Sequence, residues 1–133
     1  MYKRVHANNP PTGNFAARNN VVNIACNVQY INTIGYFSAN ANSKFIVLNV
    51  RVTNVSNKDV NVNPLDFTLI TYDGYAASID TNTFGLSGAM KATSLLPNTY
   101  TDGQLAFLLT KNAIPGRLAF KSFETSLTVD IIK

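Results

Sequence analysis

The sequence lacks several residue types on which enzymes and disulfide-stabilised folds depend. It contains no tryptophan, a single cysteine (Cys26), a single histidine (His6) and a single glutamate (Glu124). One cysteine excludes a disulfide within the chain. A catalytic Ser-His-Asp or Cys-His arrangement would have to use His6, which lies in an irregular leader. We therefore predict that the protein is not an enzyme. The chain also has no zinc-ligand spacing and no phosphate-binding glycine loop, so we predict no metal or cofactor.

Charged residues are scarce, at 14% of the chain against about 25% in typical soluble domains. Eleven lysines and arginines exceed seven acidic residues and give a net charge of +4, but only Lys3 and Arg4 are adjacent. Nucleic-acid-binding proteins instead cluster their basic residues beside exposed aromatics. We therefore predict no nucleic-acid partner. Asn, Thr and Ser supply the surface polarity, as is typical of β-rich proteins that work outside the cell or in packed assemblies.

Long hydrophobic runs are absent as well. No segment approaches the roughly twenty apolar residues that cross a membrane as a helix. The basic residues near Met1 are followed by Val-His-Ala-Asn-Asn-Pro-Pro, and not by the apolar run of a signal peptide. Either the chain is not exported by that route or its numbering begins after processing, and Met1 favours a native start. We expect a location in a virion, at the cell surface or outside the cell.

Residues 44–54 carry the clearest strand pattern in the chain. Alternate positions form an unbroken aliphatic row: Ile46, Leu48, Val50 and Val52. Because side chains alternate across a strand, this row predicts one face packed on a core. The opposite face begins with Phe45 and Val47 and ends polar, so its apolar part needs cover from loops or from the N-terminal arm. We predict a central strand of an antiparallel sheet.

Further short alternating segments follow at a spacing near ten residues, with turn formers between them and no convincing long helix. The Asp73-Gly74 pair between two tyrosines predicts a tight hairpin. Residues 104–110 are apolar on both faces, which predicts another central strand. We count about seven to nine strands and predict an all-β, antiparallel β-sandwich. One sandwich domain is expected over residues 20–133, preceded by an irregular, extended arm over residues 1–19.

The order of these signals resembles a known family. An apolar strand ends in Val52-Thr53-Asn54, another runs into the Tyr72–Tyr75 hairpin, and Leu96-Pro97 precedes a strand that starts with Gly103. Over residues 44–123 this order is similar to the immunoglobulin-like domain of secreted bacterial proteins and lipoproteins of unassigned function. The resemblance implies an immunoglobulin-like sandwich. Members of that family usually carry an export signal and a lipid-bearing cysteine near the start, whereas Cys26 of this chain lies inside a predicted strand without a preceding apolar run.

The first functional hypothesis is a non-catalytic structural or interaction module that docks into a larger assembly, such as a virion or a surface array. The arm would provide the contact through Tyr2, Val5 and Phe15, which would anchor it on its own domain or on a neighbour. Such an arm buries apolar surface and pairs with exposed strand edges. The expected partners are therefore proteins, through self-association or within that assembly.

The alternative hypothesis is a secreted or cell-surface domain that recognises a carbohydrate or a protein. Tyr72 and Tyr75 flank a tight turn, and Tyr100 lies among short polar residues. Aromatic side chains in such loops stack on sugars or anchor protein interfaces. In sandwich folds they also cap the end of the core, and the sequence leaves both roles open.

Overall fold

The computed structural model describes residues 14–31, 33, 34 and 37–131. These residues form twelve β-strands and two short 3₁₀ helices. The strands are β1 (Asn14–Arg18), β2 (Val22–Ile31), β3 (Thr33–Ile34), β4 (Phe37–Ser38), β5 (Ser43–Asn54), β6 (Val60–Val62), β7 (Phe67–Thr71), β8 (Ala76–Ser78), β9 (Thr93–Leu95), β10 (Tyr100–Thr110), β11 (Pro115–Lys121) and β12 (Ser126–Asp130); the helices are η1 (Pro64–Asp66) and η2 (Thr81–Gly85).

The first sheet has the antiparallel order β1-β2-β5-β10, and β5 runs through its middle. Leu48 of β5 lies opposite Val28 of β2 and Leu105 of β10, and all three side chains are buried in the main core. Aliphatic residues on alternate positions therefore meet across three strands. The predicted central strand over residues 44–54 is confirmed.

The second sheet has the order β12-β11-β7-β8 and packs its inner face against the first. Phe67 and Phe120 lie opposite each other on β7 and β11, with ring centroids 4.9 Å apart. Large buried side chains from both sheets share one core, so the molecule is an antiparallel β-sandwich, as predicted. The predicted hairpin is also confirmed: β7 pairs with β8 around Gly74, whose φ of 98° favours glycine.

Strand β10 differs from its prediction, because it lies at an edge of the first sheet and not at its centre. The second row of apolar residues on β10 is therefore not explained by a central position in the sheet. Ala106 is buried with Phe45 and Val47 of β5 in a separate small cluster that also contains Ile34. The loops around β3 and η2 thus supply the cover that the outer face of β5 needed. Thr83 of η2 fixes this cover, since its hydroxyl donates to the Ala106 carbonyl and accepts from the Ala106 amide.

Two short strands, β6 and β9, pair with each other where the chain passes between the sheets. Asn54, at the end of β5, is fully buried beside them. Its side-chain amide donates to the carbonyls of Lys58 and Leu95, at 2.7 and 3.0 Å. Its side-chain oxygen accepts from the backbone and hydroxyl of Ser56. One side chain therefore satisfies the backbone polar groups of two loops.

The sandwich begins earlier than the predicted boundary at residue 20. Asn14–Arg18, assigned to the arm from the sequence, form the edge strand β1 paired with β2. Asn19 then links the two sheets, since its side-chain amide donates to the Thr125 hydroxyl and the Ser126 carbonyl. Its side-chain oxygen accepts from the backbone of Val21 and Val22. The remainder of the predicted arm, residues 1–13, lies outside the described residues.

Candidate functional site

The outer face of the first sheet carries a polar trough, with a cavity volume of about 520 Å³. Strands β1, β2, β5 and β10 supply its floor, and its lining includes Asn14, Ala25, Asn27, Asn49, Arg51 and Gln104. The volume lies in the range of ligand pockets, roughly 300–1,000 Å³. This trough is the candidate functional site.

A row of amide side chains crosses the floor. Asn14, Asn27, Asn49 and Gln104 occupy successive opposite positions on the four strands. The Gln104 amide donates to the Asn49 oxygen at 2.8 Å, and the Asn49 amide donates to the Asn27 oxygen at 2.7 Å. Asn49 also donates to Gln29 at 3.2 Å. These bonds hold the side chains in fixed orientations before any ligand arrives.

One row further along β5, an ion pair forms the next polar feature of the floor. Arg51 donates to both carboxylate oxygens of Asp102, with Nε–Oδ1 and Nη2–Oδ2 distances of 2.7 and 2.9 Å. The guanidinium also lies over the Tyr100 ring, 4.0 Å from its centroid. Hydrogen bonding to Arg51 lowers the pKa of Asp102, and the same bond raises the pKa of Arg51. Both groups therefore remain charged at neutral pH and cancel each other.

The β10 side of the trough is formed by the segment that precedes β9. The Gln104 backbone amide donates to the Gly88 carbonyl at 2.8 Å, and the Met90 amide donates to the Gln104 carbonyl at 3.0 Å. The edge of β10 is thereby paired at this point. Gly88 lies so close to the Gln104 side chain that an added Cβ would be 3.1 Å from its Oε1. Because Gly88 has no side chain, this segment can lie close to the amide row.

The structure does not bring the predicted aromatic residues together. Tyr72 and Tyr75 are exposed at the β7–β8 turn, where the Tyr72 amide donates to the Ile114 carbonyl after the end of β10. Tyr100 begins β10 and therefore lies at the opposite end of the sandwich, beside Arg51. Of the predicted arm anchors, Phe15 is half-buried against the main core, opposite Cys26. Tyr2 and Val5 lie outside the described residues.

Sequence reasoning missed the amide row and the Arg51–Asp102 pair. Their signal was present, because the polar positions of β2, β5 and β10 alternate with the buried ones. Alternation predicts which residues share a face of one strand. It does not say which residues of different strands lie side by side, and that depends on the register between β5 and its neighbours.

Other kinds of site can be reported only for the described part of the chain. Within it, no group of three or more His, Cys, Asp or Glu side chains is placed to hold a metal ion. No helix in the same residues has the length and apolar character needed to cross a membrane.

The fold and the trough together define a class: a β-sandwich domain with a polar groove on the outer face of one sheet. The chain belongs to the family described as "Domain of unknown function (DUF4352)", whose model matches residues 16–128. A comparison with curated proteins gave no match.

Three solved structures are similar in fold. The ycdA protein of Bacillus subtilis, provisionally described as a lipoprotein, is 20% identical with a TM-score of 0.67, and the match covers 87% of this chain and 38% of that one. The yjhA protein of Bacillus subtilis is 12% identical with a TM-score of 0.60, covering 88% and 96%. A functionally unknown protein from Listeria monocytogenes is 15% identical with a TM-score of 0.58, covering 92% and 83%. The chain thus spans little over a third of ycdA, and these likenesses concern the fold.

Proposed function

We propose that the protein is a non-catalytic binding domain that works outside the cytoplasm and holds its ligand in the trough of the first sheet. The observation that carries this proposal is the braced polar floor. Surface amides that are free to rotate lose conformational entropy when they bind, whereas Asn27, Asn49 and Gln104 are already fixed by one another. Preorganised polar groups on strands are typical of recognition sites.

We also propose that the sandwich is immunoglobulin-like. The order β2-β5-β10 opposite β12-β11-β7-β8 corresponds to strands A-B-E opposite G-F-C-C′ of that fold. Strand β1 then extends the first sheet beyond strand A. In this arrangement the trough lies on a sheet face, so the ligand surface differs from the loop ends that antibodies use.

A location at the cell surface is supported by ycdA, the Bacillus subtilis protein described provisionally as a lipoprotein. The scarcity of charge and the richness in Asn and Thr agree with it. The hypothesis of a module docked into a virion or array stays a prediction, because Tyr2 and Val5, on which it depends, lie outside the described residues.

The absence of catalysis is also part of the proposal, and the state of Asp102 supports it. A general acid must release and regain a proton near the working pH. Asp102 is held as a carboxylate by its two bonds to Arg51, which lower its pKa. The pair is therefore suited to fixing the shape and charge of the floor.

The proposal is tested by heteronuclear NMR of the isotope-labelled protein with a fragment library of sugars, polyols, amides and short peptides. Chemical-shift changes are expected to concentrate on Ala25, Asn49, Arg51 and Gln104. Changes confined to the second sheet or to the Tyr72–Tyr75 turn would contradict the proposal.

A matched pair of variants supplies the control. Ala25→Tyr places a large side chain on the trough floor, next to Arg51 and Ala16. Ala119→Tyr makes the same change on the outer face of β11, where Thr68 and Thr128 lie opposite. Both alanines are half-buried and outward-facing. Fragment binding should disappear in the first variant and persist in the second.

A further inference from the structure

We infer that the ligand of the trough is an uncharged oligosaccharide, lying across the strands of the first sheet. This inference rests on the proposed function and names the ligand class for the same site. Three features of the trough carry it: its charge balance, the donor and acceptor pattern of its floor, and its length.

The charge balance selects a neutral ligand. The only charged side chains that line the trough within the described residues are Arg51 and Asp102. Each satisfies the other through two parallel hydrogen bonds. A charged ligand, such as a phosphate, a carboxylate or a cation, would have to break this pair, or it would lie in the trough without a partner of opposite charge. An uncharged chain of hydroxyl groups meets no such cost.

The floor offers donors and acceptors side by side. Each Asn or Gln side chain carries an amide donor and a carbonyl acceptor, as each sugar hydroxyl both donates and accepts. The bonds run in one direction, from the Gln104 amide to Asn49 and from the Asn49 amide to Asn27. The hydrogen-bonded part of the row therefore presents the Gln104 oxygen at one end and the Asn27 amide, next to Asn14, at the other. A ligand that needs both kinds of partner fits this row.

The length and the flat surface of the trough suit a short chain of sugar rings. Adjacent strands lie about 4.8 Å apart, so the row from Asn14 to Gln104 extends over about 14 Å. Ala16 and Ala25 form a low apolar area beside it, against which the C–H faces of sugar rings can pack. Backbone groups within the sheet are used in its ladders, so a peptide would find its main-chain partners at a strand edge instead.

The experiment uses isothermal titration calorimetry with three probe sets: neutral cello-, xylo- and N-acetylated chito-oligosaccharides, anionic oligogalacturonides, and short peptides of either charge. We expect binding to at least one neutral oligosaccharide, with affinity rising from two to four sugar units. Asn49→Leu removes the centre of the row and should weaken that binding about tenfold or more, as expected for one to two lost hydrogen bonds.

A charge variant tests the selectivity. Asp102→Asn leaves Arg51 without its carboxylate and gives the trough a net positive charge. This variant should gain affinity for oligogalacturonides, which the unmodified protein should reject. Thr128→Val on the second sheet is the matched polar control. It should change neither the affinity for neutral oligosaccharides nor the rejection of oligogalacturonides. Unfolding midpoints of all variants separate lost binding from lost folding.

The possible outcomes divide clearly. Neutral-glycan binding that Ala25→Tyr abolishes and Ala119→Tyr preserves would establish the inference. Trough binding of the anionic or peptide probes alone would overturn the inference while leaving the proposed function intact. Glycan binding that is unchanged in Ala25→Tyr, or the failure of every probe to bind, would count against both.

Discussion

Gly103 of β10 packs directly against the backbone of Met90. A Cβ added at Gly103 would lie 2.4 Å from the Cα of Met90, far inside any real contact. Met90 is buried in the main core, and its segment pairs with the edge of β10 through Gln104. The missing side chain at Gly103 therefore lets the segment from Gly88 to Met90, which forms the β10 side of the trough, lie against the sheet.

Gly103→Ala is expected to destabilise the fold by about 1–3 kcal/mol, because Met90 cannot move aside without breaking its backbone pairing. Chemical denaturation measures this loss. Gly85→Ala is the matched control, since its added Cβ would meet only Ile34 Cγ2 at an ordinary 3.6 Å. Equal stability of the two variants would show that the contact at Met90 is unimportant.

Asn54→Ala is expected to cost about 2–4 kcal/mol, because the buried Leu95 carbonyl loses its Asn54 donor and the Ser56 amide loses its Asn54 acceptor. The Lys58 carbonyl keeps a bond from the Ser56 hydroxyl. The change in the midpoint of urea unfolding gives the magnitude. Asn57→Ala alters an exposed side chain in the same turn and should remain within about 0.5 kcal/mol of the parent protein. A loss below 1 kcal/mol at Asn54 would contradict its role between the two loops.

Thr83→Val should cost about 1–3 kcal/mol and should loosen the cover over Phe45, since the buried Ala106 amide loses its acceptor and the Ala106 carbonyl keeps only the bond from the Asp80 amide. Hydrogen exchange at the Ala106 amide is the direct measurement, and it should become faster. Thr81→Val, at an exposed position of the same helix, should leave that rate unchanged. An unchanged Ala106 rate in Thr83→Val would mean that another contact fixes η2.

The Cys26 thiol gives a pH-dependent prediction. Burial raises its pKa to about 11, whereas the thiol of an unfolded chain titrates at about 8.5. Between these values the unfolded state releases its proton and the folded state keeps it, so stability must fall as the pH rises through this window. The loss attributable to Cys26 should be on the order of 1–2 kcal/mol at pH 10.

Urea unfolding of the parent protein and of Cys26→Ala, each at pH 8 and pH 10, isolates this effect. All other titratable groups are the same in the two proteins. The difference in stability between the two proteins should shrink at pH 10. Native Cys26 should also resist iodoacetamide at pH 8, whereas the denatured chain reacts fully. Rapid alkylation of the native protein would show that the thiol is accessible.

Local patterns predicted much of the fold. The aliphatic alternation of β5 and the turn at Gly74 depend on residues close in sequence, and both were placed correctly. The edge position of β10 was not predictable in this way. Its apolar outer row reflects the packing of Ala106 on Phe45 under η2, and such cover comes from a distant segment without a periodic pattern.

The trough could not be predicted from local patterns either, because it also depends on contacts between residues that are distant in the sequence. The amide row joins Asn27, Asn49 and Gln104, which lie 22 and 55 positions apart. Local propensity does not encode that register, which follows from the packing of all four strands together. The aromatic residues, in contrast, stand out in the sequence, but Tyr72 and Tyr100 lie at opposite ends of the sandwich.

Asn19 has a consequence for how the molecule forms. Its bonds to Thr125 and Ser126 join residues separated by 106 and 107 positions. Contacts of such long sequence separation slow folding, because a large loop must close before they can form. During synthesis, the contacts of β1 with β12 must therefore wait until β12 has emerged. Until then the first sheet lacks these links to the second sheet, so chaperone dependence should be greatest before β12 forms.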